Sequence, residues 1–491
     1  MMDFRTDREK QLMKEAEAVV QRHSQVVKAD PNRLTYHLMP PVGLLNDPNG
    51  LIYYKGVYHV FFQWNPFATE HGAKFWGHYT TTDLVTWKLE PIALAPSEWF
   101  EKNGCYSGSA IEKDGEMFLF YTGNVKDENN NRETFQCVAV SNDGFSFQKK
   151  GPVVTLPECY TAHFRDPKVW EKNGKWYMVV GAQSLHGEGE VALFSSLDLE
   201  NWKFHGSIAG SKMNGLDEFG YMWECPDLFS LDGADVLIVS PQGLNADGFL
   251  YNNLYQSGYF IGKLDEIEAT YEHGSFTELD RGFDFYAPQT MLDDEGRRIL
   301  IGWMGVPEEN EEDHPTIQHQ WIHCMTLPRK LELKEGKLYQ TPVEELKKLR
   351  KEQSLNEKIE VCSDKVQLPS VKGAAIELVI QDIQGEFESF EISFGDACRF
   401  VYDANERLAT LERKRFKEDS FESRTCKLDS LESLQIYKDT SSIELFLNEG
   451  QEVFSARVFG TVDDQSIAFA ADGGGRFKLS IWCLSSSTIK R

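Results

Sequence analysis

At 491 residues the chain is longer than one hydrophobic core usually supports, so we expect two or more domains. Its composition is 41% hydrophobic and 12% aromatic, which is ample for large cores and excludes a disordered chain. The 51 Lys and Arg residues against 77 Asp and Glu residues give a net charge of −26, which repels nucleic acid and anionic membranes, so neither is expected as a partner.

The chain is expected to act in the cytoplasm. Its N-terminal residues lack the apolar run of a secretory signal, and no stretch approaches the roughly 18 apolar residues of a membrane span. The nine cysteines are an odd number without a C-x-x-C pair, which is typical of reduced thiols. Both a monomer and a homodimer are compatible with these features.

Residues 1–35 are predicted to form a helical arm. Residues 6–9, Thr-Asp-Arg-Glu, fit a capping box, and residues at spacings of three or four continue from Leu12 to Val27. The Asp-Pro-Asn sequence at 30–32 ends the helix. The arm carries no residues that suggest chemistry.

Residues 36–330 contain an internal repeat of short strands separated by turn residues. Each unit has a polar or acidic start, a strand, a Gly-bearing hairpin turn and an apolar strand. Successive starts are separated by 60, 59, 58 and 62 residues, and a period of this length with several strands per unit predicts a five-bladed β-propeller. The five starts are Asp47, Ser107, Asp166, Glu224 and Tyr286.

The repeat has a geometric consequence for three acidic residues. In a propeller the innermost strands converge on one axis, so equivalent positions in different repeats face one central funnel. The repeat therefore predicts that Asp47, Asp166 and Glu224 share a pocket.

The rest of the chain is predicted to be a linker followed by a second all-β domain. Residues 331–357 contain a short charged helix near 343–350, which is typical of a linker. Residues 358–491 alternate between apolar and polar side chains, as at 443–447, and this pattern predicts a β-sandwich. No clustered catalytic residues are found in that domain.

Three acids in one confined funnel suit the hydrolysis of a glycosidic bond, in which one carboxylate attacks the sugar and a second acid protonates the leaving oxygen. Asp47 lies on a polar turn whose neighbours can donate hydrogen bonds, which favours an ionised nucleophile. Glu224 lies in an apolar setting at 221–226, which suits a general acid. Arg165 precedes Asp166 and is expected to keep that carboxyl ionised, so that it can stabilise a cationic transition state.

Six motifs in order closely resemble glycoside hydrolase family 32, the β-fructofuranosidase family that includes invertases, sucrose-6-phosphate hydrolases and fructanases. The resemblance covers 36–330, and the trailing β-domain fits the same family. The motifs are Asn46-Asp47-Pro48-Asn49-Gly50, Phe62-Gln63-Trp64-Asn65-Pro66, Trp76-Gly77-His78, Tyr106-Ser107-Gly108-Ser109, Phe164-Arg165-Asp166-Pro167 and Glu224-Cys225-Pro226-Asp227.

The resemblance implies a five-bladed propeller followed by a β-sandwich, and it implies a role for each acid. Asp47 would be the nucleophile, Glu224 the acid/base and Asp166 the stabiliser of the transition state. The family often has Trp-Met before its Asn-Asp-Pro sequence, where this chain has Leu44 and Leu45, so Leu44 would stand at a sugar-contacting position. The fructose subsite would further be lined by Asn46, Gln63, Trp76, Tyr106, Ser107, Arg165 and Trp303.

The implied reaction is a retaining double displacement through a fructosyl ester of Asp47, with the two carboxyls roughly 5–5.5 Å apart. Intracellular bacterial members of the family commonly act on sucrose 6-phosphate, while sucrose and short fructans remain open as substrates. Lys212 and residues 318–323 are weak candidates for phosphate contacts.

Several alternatives accompany this interpretation. A sugar-binding propeller without activity, a fructosyltransferase and an inverting arabinanase-type propeller share parts of the pattern. Residues 187–192 match a loosened dinucleotide fingerprint, but strand-like residues follow where a helix is required, so no cofactor is expected. His314, His319 and His323 have no standard metal-ligand spacing, so no metal is expected either.

Overall fold

The computed structural model describes residues 5–367, 374–461 and 464–486. It begins with helix α1 (Asp7–Lys28), and the Thr6 side chain caps this helix by accepting a hydrogen bond from the Glu9 backbone N–H. The predicted N-terminal helix and its Thr6 cap are therefore confirmed, whereas the Glu9 side chain of the predicted capping box pairs with Lys149 and accepts from the Ala95 backbone N–H instead. Among the described residues, no helix is long and apolar enough to cross a membrane.

Four antiparallel sheets follow one another along the chain, each built mainly from consecutive strands. The first contains β1 (Gly43–Tyr54), β2 (Val57–Asn65), β3 (Phe75–Thr81) and β4 (Lys88–Leu89). The second contains β5 (Cys105–Lys113), β6 (Glu116–Lys126), β7 (Arg132–Ser141) and β8 (Gln148–Thr155). The third contains β9 (Tyr160–Lys172), β10 (Lys175–Ser184), β11 (Gly189–Ser196) and β12 (Lys203–Gly210). The fourth contains β13 (Met222–Leu231), β14 (Ala234–Gln242), β15 (Gly258–Asp265), β16 (Thr270–His273) and β17 (Thr277–Glu278).

A fifth sheet closes the ring. Between two of its strands the chain returns to the first sheet, where β20 pairs in parallel with β1 through Gly43 opposite Trp321 and Leu44 opposite Ile322. The strands of this region are β18 (Tyr286–Leu292), β19 (Arg298–Met304), β20 (Trp321–Ile322), β21 (Cys324–Met325), β22 (Arg329–Lys334) and β23 (Lys337–Pro342).

The Gly-bearing turns explain why the first two strands of each sheet pair so closely. In four of the five sheets a two-residue turn joins them, and both turn residues have positive φ. This geometry follows the natural twist of a hairpin and strongly favours Asn or Asp followed by Gly. The turns are Lys55-Gly56, Asp114-Gly115, Asn173-Gly174 and Asp232-Gly233.

The first strand of each sheet lies at the centre. Strand β1 contacts β5 and β18, β5 contacts β9, β9 contacts β13, and β13 contacts β18, which completes a ring of five inner strands. Each inner strand carries a β-bulge at its predicted repeat start. Bulges re-aim side chains and are common next to active sites. The predicted five-bladed propeller is confirmed.

Residues after the propeller form two facing six-stranded sheets, and the predicted β-sandwich is confirmed. One sheet has the order β24-β35-β26-β31-β32-β33 and the other β25-β34-β27-β28-β29-β30. The strands are β24 (Arg350–Val361), β25 (Val366–Gln367), β26 (Ile376–Gln384), β27 (Ser389–Phe394), β28 (Cys398–Asp403), β29 (Leu408–Lys414), β30 (Phe421–Lys427), β31 (Leu434–Asp439), β32 (Ser442–Leu447), β33 (Glu452–Arg457), β34 (Ile467–Asp472) and β35 (Gly475–Leu484).

The structure differs from the prediction of a linker over 331–357. The strands β22 and β23 are an integral hairpin of the fifth sheet, since Glu335 and Gly336 form another two-residue turn with positive φ. A short 3-10 helix (Glu344–Leu349) follows, and the first sandwich strand begins directly at Arg350. The charged residues that suggested a linker are the solvent-facing residues of this hairpin and helix.

A buried polar network joins the propeller to the sandwich. The His37 ring lies 2.8 Å from Asp439 through Nδ1 and 3.0 Å from Glu444 through Nε2. Arg329 donates hydrogen bonds to Glu444 (2.6 Å) and to Asp280 (3.0 Å), and all these side chains are buried. Burial alone lowers the pKa of His37, but its hydrogen bonds to the two carboxylates raise it to about 9.

Candidate active site

The bulges of the inner strands bring the three predicted acids to one end of the propeller. The Cys225 backbone N–H donates a 2.9 Å hydrogen bond to Asp166 Oδ2. The thiol of the same cysteine lies 3.5 Å from Asp166 Oδ2 and 3.8 Å from Asp47 Oδ2. Because Glu224 directly precedes Cys225, three repeats that are far apart in sequence meet around one cysteine.

Asp47 is held by hydrogen bonds through both of its oxygens. Asn46 Nδ2 donates to Oδ1 at 3.0 Å, and the Ser107 hydroxyl donates to Oδ2. Gln63 donates in turn to the Ser107 hydroxyl. Burial raises the pKa of Asp47, the hydrogen bonds from Ser107 and Asn46 oppose this effect, and the nearby charge of Glu224 adds to it. The predicted donors are present, but burial outweighs them.

A buried lysine that the sequence analysis did not single out supports this arrangement. Lys74 Nζ donates a 2.8 Å hydrogen bond to Asn46 Oδ1, which leaves the Asn46 amide nitrogen facing Asp47. The same ammonium lies 3.0 Å from His71 Nδ1. Burial lowers the pKa of Lys74 to about 8, and the charge of Asp47 opposes that effect. The available signal was an isolated Lys directly before Phe75 and Trp76.

Asp166 occupies a strained position, with φ of 69° at a non-glycine residue. Its backbone N–H donates to Thr122 Oγ1 at 2.9 Å. Burial raises the pKa of Asp166 to about 7; the charge of Arg165 opposes this, and those of Glu224 and Asp47 reinforce it. Arg165 thus acts in the expected direction, but burial outweighs its charge, so the expectation that Arg165 keeps Asp166 ionised is not met at pH values below about 7.

Glu224 has polar partners instead of the predicted apolar setting. Arg165 donates to Oε1 from Nε at 2.8 Å and from Nη2 at 2.5 Å. Oε2 accepts hydrogen bonds from Gln242 Nε2 at 3.0 Å and from the Tyr286 hydroxyl at 2.6 Å. Side chains alternate along a strand, so the fully buried Trp223 faces away from the site although it is adjacent in sequence.

The remaining predicted sugar contacts lie at different depths. Tyr106 is half-buried. Leu44 and Trp76 have no exposed surface, and the Trp76 indole N–H donates to the Tyr106 carbonyl at 3.1 Å. Trp303 is 1% exposed, and its indole N–H has no partner among the described residues. The structure thus places Leu44, Trp76 and Trp303 in the wall behind the side chains that surround the acids.

Cavity size alone does not locate this site. A cavity of about 850 Å³ lies farther along the same inner strands, and its lining includes Asp114, Trp170 and Arg298. None of the three acids lines it. The functional assignment therefore rests on the chemistry at the bulged ends of the strands.

Two neighbouring carboxyls with hydrogen-bonded partners, and a third acid beside them, can perform nucleophilic and acid/base chemistry at a glycosidic carbon. The fold and the site thus define a propeller-type glycoside hydrolase. The sequence model of the glycosyl hydrolases family 32 N-terminal domain matches residues 37–342, and that of the family 32 C-terminal domain matches residues 345–483. The chain belongs to glycoside hydrolase family 32, as its motifs indicated.

Individual relatives agree with this classification. Sucrose-6-phosphate hydrolase of Bacillus subtilis (strain 168) is 55% identical over 98% of this chain and 100% of that protein. The structure of sucrose-6-phosphate hydrolase from Lactobacillus gasseri matches with a TM-score of 0.86 at 31% identity, covering 96% of this chain and 97% of the other. A mutant of a Bombyx mori family 32 β-fructofuranosidase in complex with sucrose matches with a TM-score of 0.82 at 33% identity, covering 96% and 98%.

Proposed function

We propose that the protein is a β-fructofuranosidase that hydrolyses sucrose 6-phosphate and accepts sucrose. The observation that carries the proposal is the meeting of Asp47, Asp166 and Glu224 at one end of the propeller. Membership of family 32 supports the reaction, and the similarity to the sucrose-6-phosphate hydrolase of Bacillus subtilis supports the phosphorylated substrate.

In the first step Asp47 attacks the anomeric carbon of the fructosyl unit and forms an ester, while Glu224 gives a proton to the departing hexose oxygen. In the second step Glu224 takes a proton from water, which attacks the ester and releases fructose. The hydrogen bonds from Asn46 and Ser107 orient the two Asp47 oxygens for the attack. The carboxyls of Asp47 and Glu224 should be roughly 5–5.5 Å apart for this retaining route.

The contacts of Glu224 favour one of its oxygens as the proton carrier. Oε1 faces two N–H groups of Arg165, which can only donate. Oε2 faces the hydroxyl of Tyr286, which can turn and accept a hydrogen bond instead. We therefore assign the catalytic proton to Oε2, with Tyr286 adjusting to each protonation state.

Asp166 is proposed to bind the hydroxyls of the fructosyl unit and to stabilise its cationic transition state. Two hydrogen bonds place it: the Cys225 backbone N–H donates to its carboxylate, and its own backbone N–H donates to Thr122 Oγ1. All nine cysteines are free thiols, as a reducing compartment maintains, and we propose that the enzyme acts in the cytoplasm as a monomer or homodimer.

The proposal is tested with purified protein by comparing kcat/KM for sucrose 6-phosphate and sucrose. Asp47→Asn should lower kcat by at least about a thousandfold without unfolding the protein, because it removes the nucleophile. Asp114→Asn is the matched control, since it makes the same change on the exposed turn between β5 and β6. Release of fructose by Asp47→Asn at a rate near that of the wild type would overturn the assignment.

A further inference from the structure

A group of basic side chains, two of them cationic, lies beside Glu224 at the solvent-facing opening of the site. Gln136 and Thr134 on β7 both donate to the Phe164 carbonyl, at 3.3 Å and 2.8 Å. Side chains two residues apart share a face of a strand, so Arg132 lies on the same face of β7 as Thr134 and Gln136, two residues closer to the opening of the site. Lys126 is its direct cross-strand partner on β6, so the two cations are neighbours on that face.

The third member comes from the adjacent inner strand. His163 Nδ1 lies 3.1 Å from Nη1 of Arg165, the residue that pairs with Glu224. His163 is exposed, whereas Arg165 is buried. We call Lys126, Arg132 and His163 the rim cluster. It follows that the rim cluster borders the acid/base residue on its solvent side.

The rim cluster lacks the anionic partners that such residues normally have. Within the part of the chain that the structure describes, neither Lys126 nor Arg132 forms an ion pair, although the whole chain carries a net charge of −26. Like charges directly opposite each other on a sheet are destabilising. Partial burial, then the charges of Arg165 and Arg132, lower the pKa of His163 to about 4. His163 is therefore neutral near pH 7, and the unpaired charges of Lys126 and Arg132 are what favours an anionic ligand at this place.

A further donor lies below the cluster. Thr122, Asn124 and Lys126 are alternate residues of β6, so their side chains lie on the same face of the strand. Asn124 is 2% exposed, and among the described residues its Nδ2 group has no hydrogen-bond partner. An unpaired buried amide donor next to two cations and an imidazole is the counterpart of a ligand with several acceptor oxygens.

Glu224 determines which part of the substrate reaches this place. Because Glu224 protonates the departing oxygen, the leaving hexose must lie on its side of the cleaved bond, outside the fructosyl unit held by Asp47 and Asp166. A phosphate on that hexose carries a charge of about −1.5 to −2 at pH 7 and three acceptor oxygens. Arginine suits such a group because its guanidinium can donate two parallel hydrogen bonds.

We propose that the rim cluster is the subsite that binds the phosphate of a phosphorylated leaving hexose. The inference rests on the proposed function and identifies the residues that select the phosphorylated substrate. The candidates suggested by the sequence are occupied elsewhere, since Lys212 pairs with Glu188 at 3.1 Å and the buried His323 lies 2.9 Å from Glu311.

The test measures the preference of the enzyme, defined as kcat/KM for sucrose 6-phosphate divided by kcat/KM for sucrose. Arg132→Gln should reduce this preference by about 10- to 100-fold, the worth of a charge-assisted contact. Arg132→Lys keeps the charge but loses the paired donors, so its preference should lie between those of the wild type and Arg132→Gln. Arg407→Gln, on an exposed turn of the sandwich, is the matched control and should leave the preference unchanged.

The outcomes separate the subsite from the proposed function. A wild-type preference that persists in both Arg132→Gln and His163→Gln overturns the subsite and leaves the function intact. A wild type that hydrolyses both sugars equally well overturns the phosphorylated substrate and the subsite together. Inhibition by glucose 6-phosphate gives a second readout, because its inhibition constant should rise in Arg132→Gln by the factor that the preference loses.

Discussion

Replacing Lys74 by Met tests whether the buried ammonium orients the nucleophile. The substitution keeps most of the side-chain volume but removes the donor 2.8 Å from Asn46 Oδ1. Without that donor, Asn46 Oδ1 loses its partner, and the amide is oriented only by the hydrogen bonds of Nδ2 to Asp47 at 3.0 Å and to Gln63 Oε1 at 3.3 Å, so its orientation is less fixed. The nucleophile also loses a nearby positive charge.

The size of the effect follows from the contact that is lost. A hydrogen bond to a charged group contributes about 1.5–3 kcal/mol, which corresponds to a loss of about 10- to 100-fold in kcat/KM. The charge of Lys74 lowers the pKa of Asp47, so its removal raises that pKa further. The acidic limb of the pH–rate profile should therefore move to higher pH.

The assay is the initial rate on sucrose and sucrose 6-phosphate across the pH range in which the wild type is folded. Lys88→Met is the matched control, because it makes the same change at an exposed lysine on β4, the strand next to β3, where it pairs with Glu90. A Lys74→Met enzyme with wild-type kcat/KM and an unshifted acidic limb would refute the positioning role.

Two further substitutions test the electrostatics of the fold and of the site. The stabilisation from the raised pKa of His37 is fully present below about pH 6.5 and is lost as the pH rises through about 9. The difference in unfolding free energy between wild type and His37→Gln should therefore shrink by about 3 kcal/mol over that range. A difference that stays constant with pH would contradict this prediction. The raised pKa of Asp166 means that the folded state binds an extra proton between about pH 4 and its pKa of about 7, so its ionisation lowers stability as the pH rises. Asp166→Asn should therefore have a higher Tm than the wild type at pH 8 and little advantage at pH 4 while losing activity, and equal Tm values at pH 8 would contradict this.

The architecture was largely predictable because it repeats. The near-equal spacing of Asp47, Ser107, Asp166, Glu224 and Tyr286 predicted five equivalent strand starts. In the structure these starts are the bulged positions of the inner strands. Short sequences that end in Gly, such as Asn173-Gly174 and Asp114-Gly115, marked the hairpins, since a two-residue turn with positive φ favours Gly at its second position. The hairpin over β22 and β23 was missed because its exposed charges resembled those of a linker.

Sequence motifs predicted the acidic residues of the site, but not the hydrogen bonds that connect side chains from different strands. Tyr286 was found as a repeat start, but its hydrogen bond to Glu224 depends on how two bulges face each other. Gln242 comes from the end of a second strand, where no periodic signal marks it. Arg165 is adjacent to Asp166 in sequence, yet its hydrogen bonds go to Glu224, because neighbouring side chains of a strand point in different directions.

The stereochemistry of fructosyl transfer tests the central claim most directly, because it reports whether an ester of Asp47 forms. Wild-type enzyme is incubated with sucrose in water that contains methanol, and NMR identifies the methyl fructofuranoside that forms first. Two successive displacements, at Asp47 and then by methanol activated by Glu224, predict the β-anomer. The α-anomer as the first product would contradict the account.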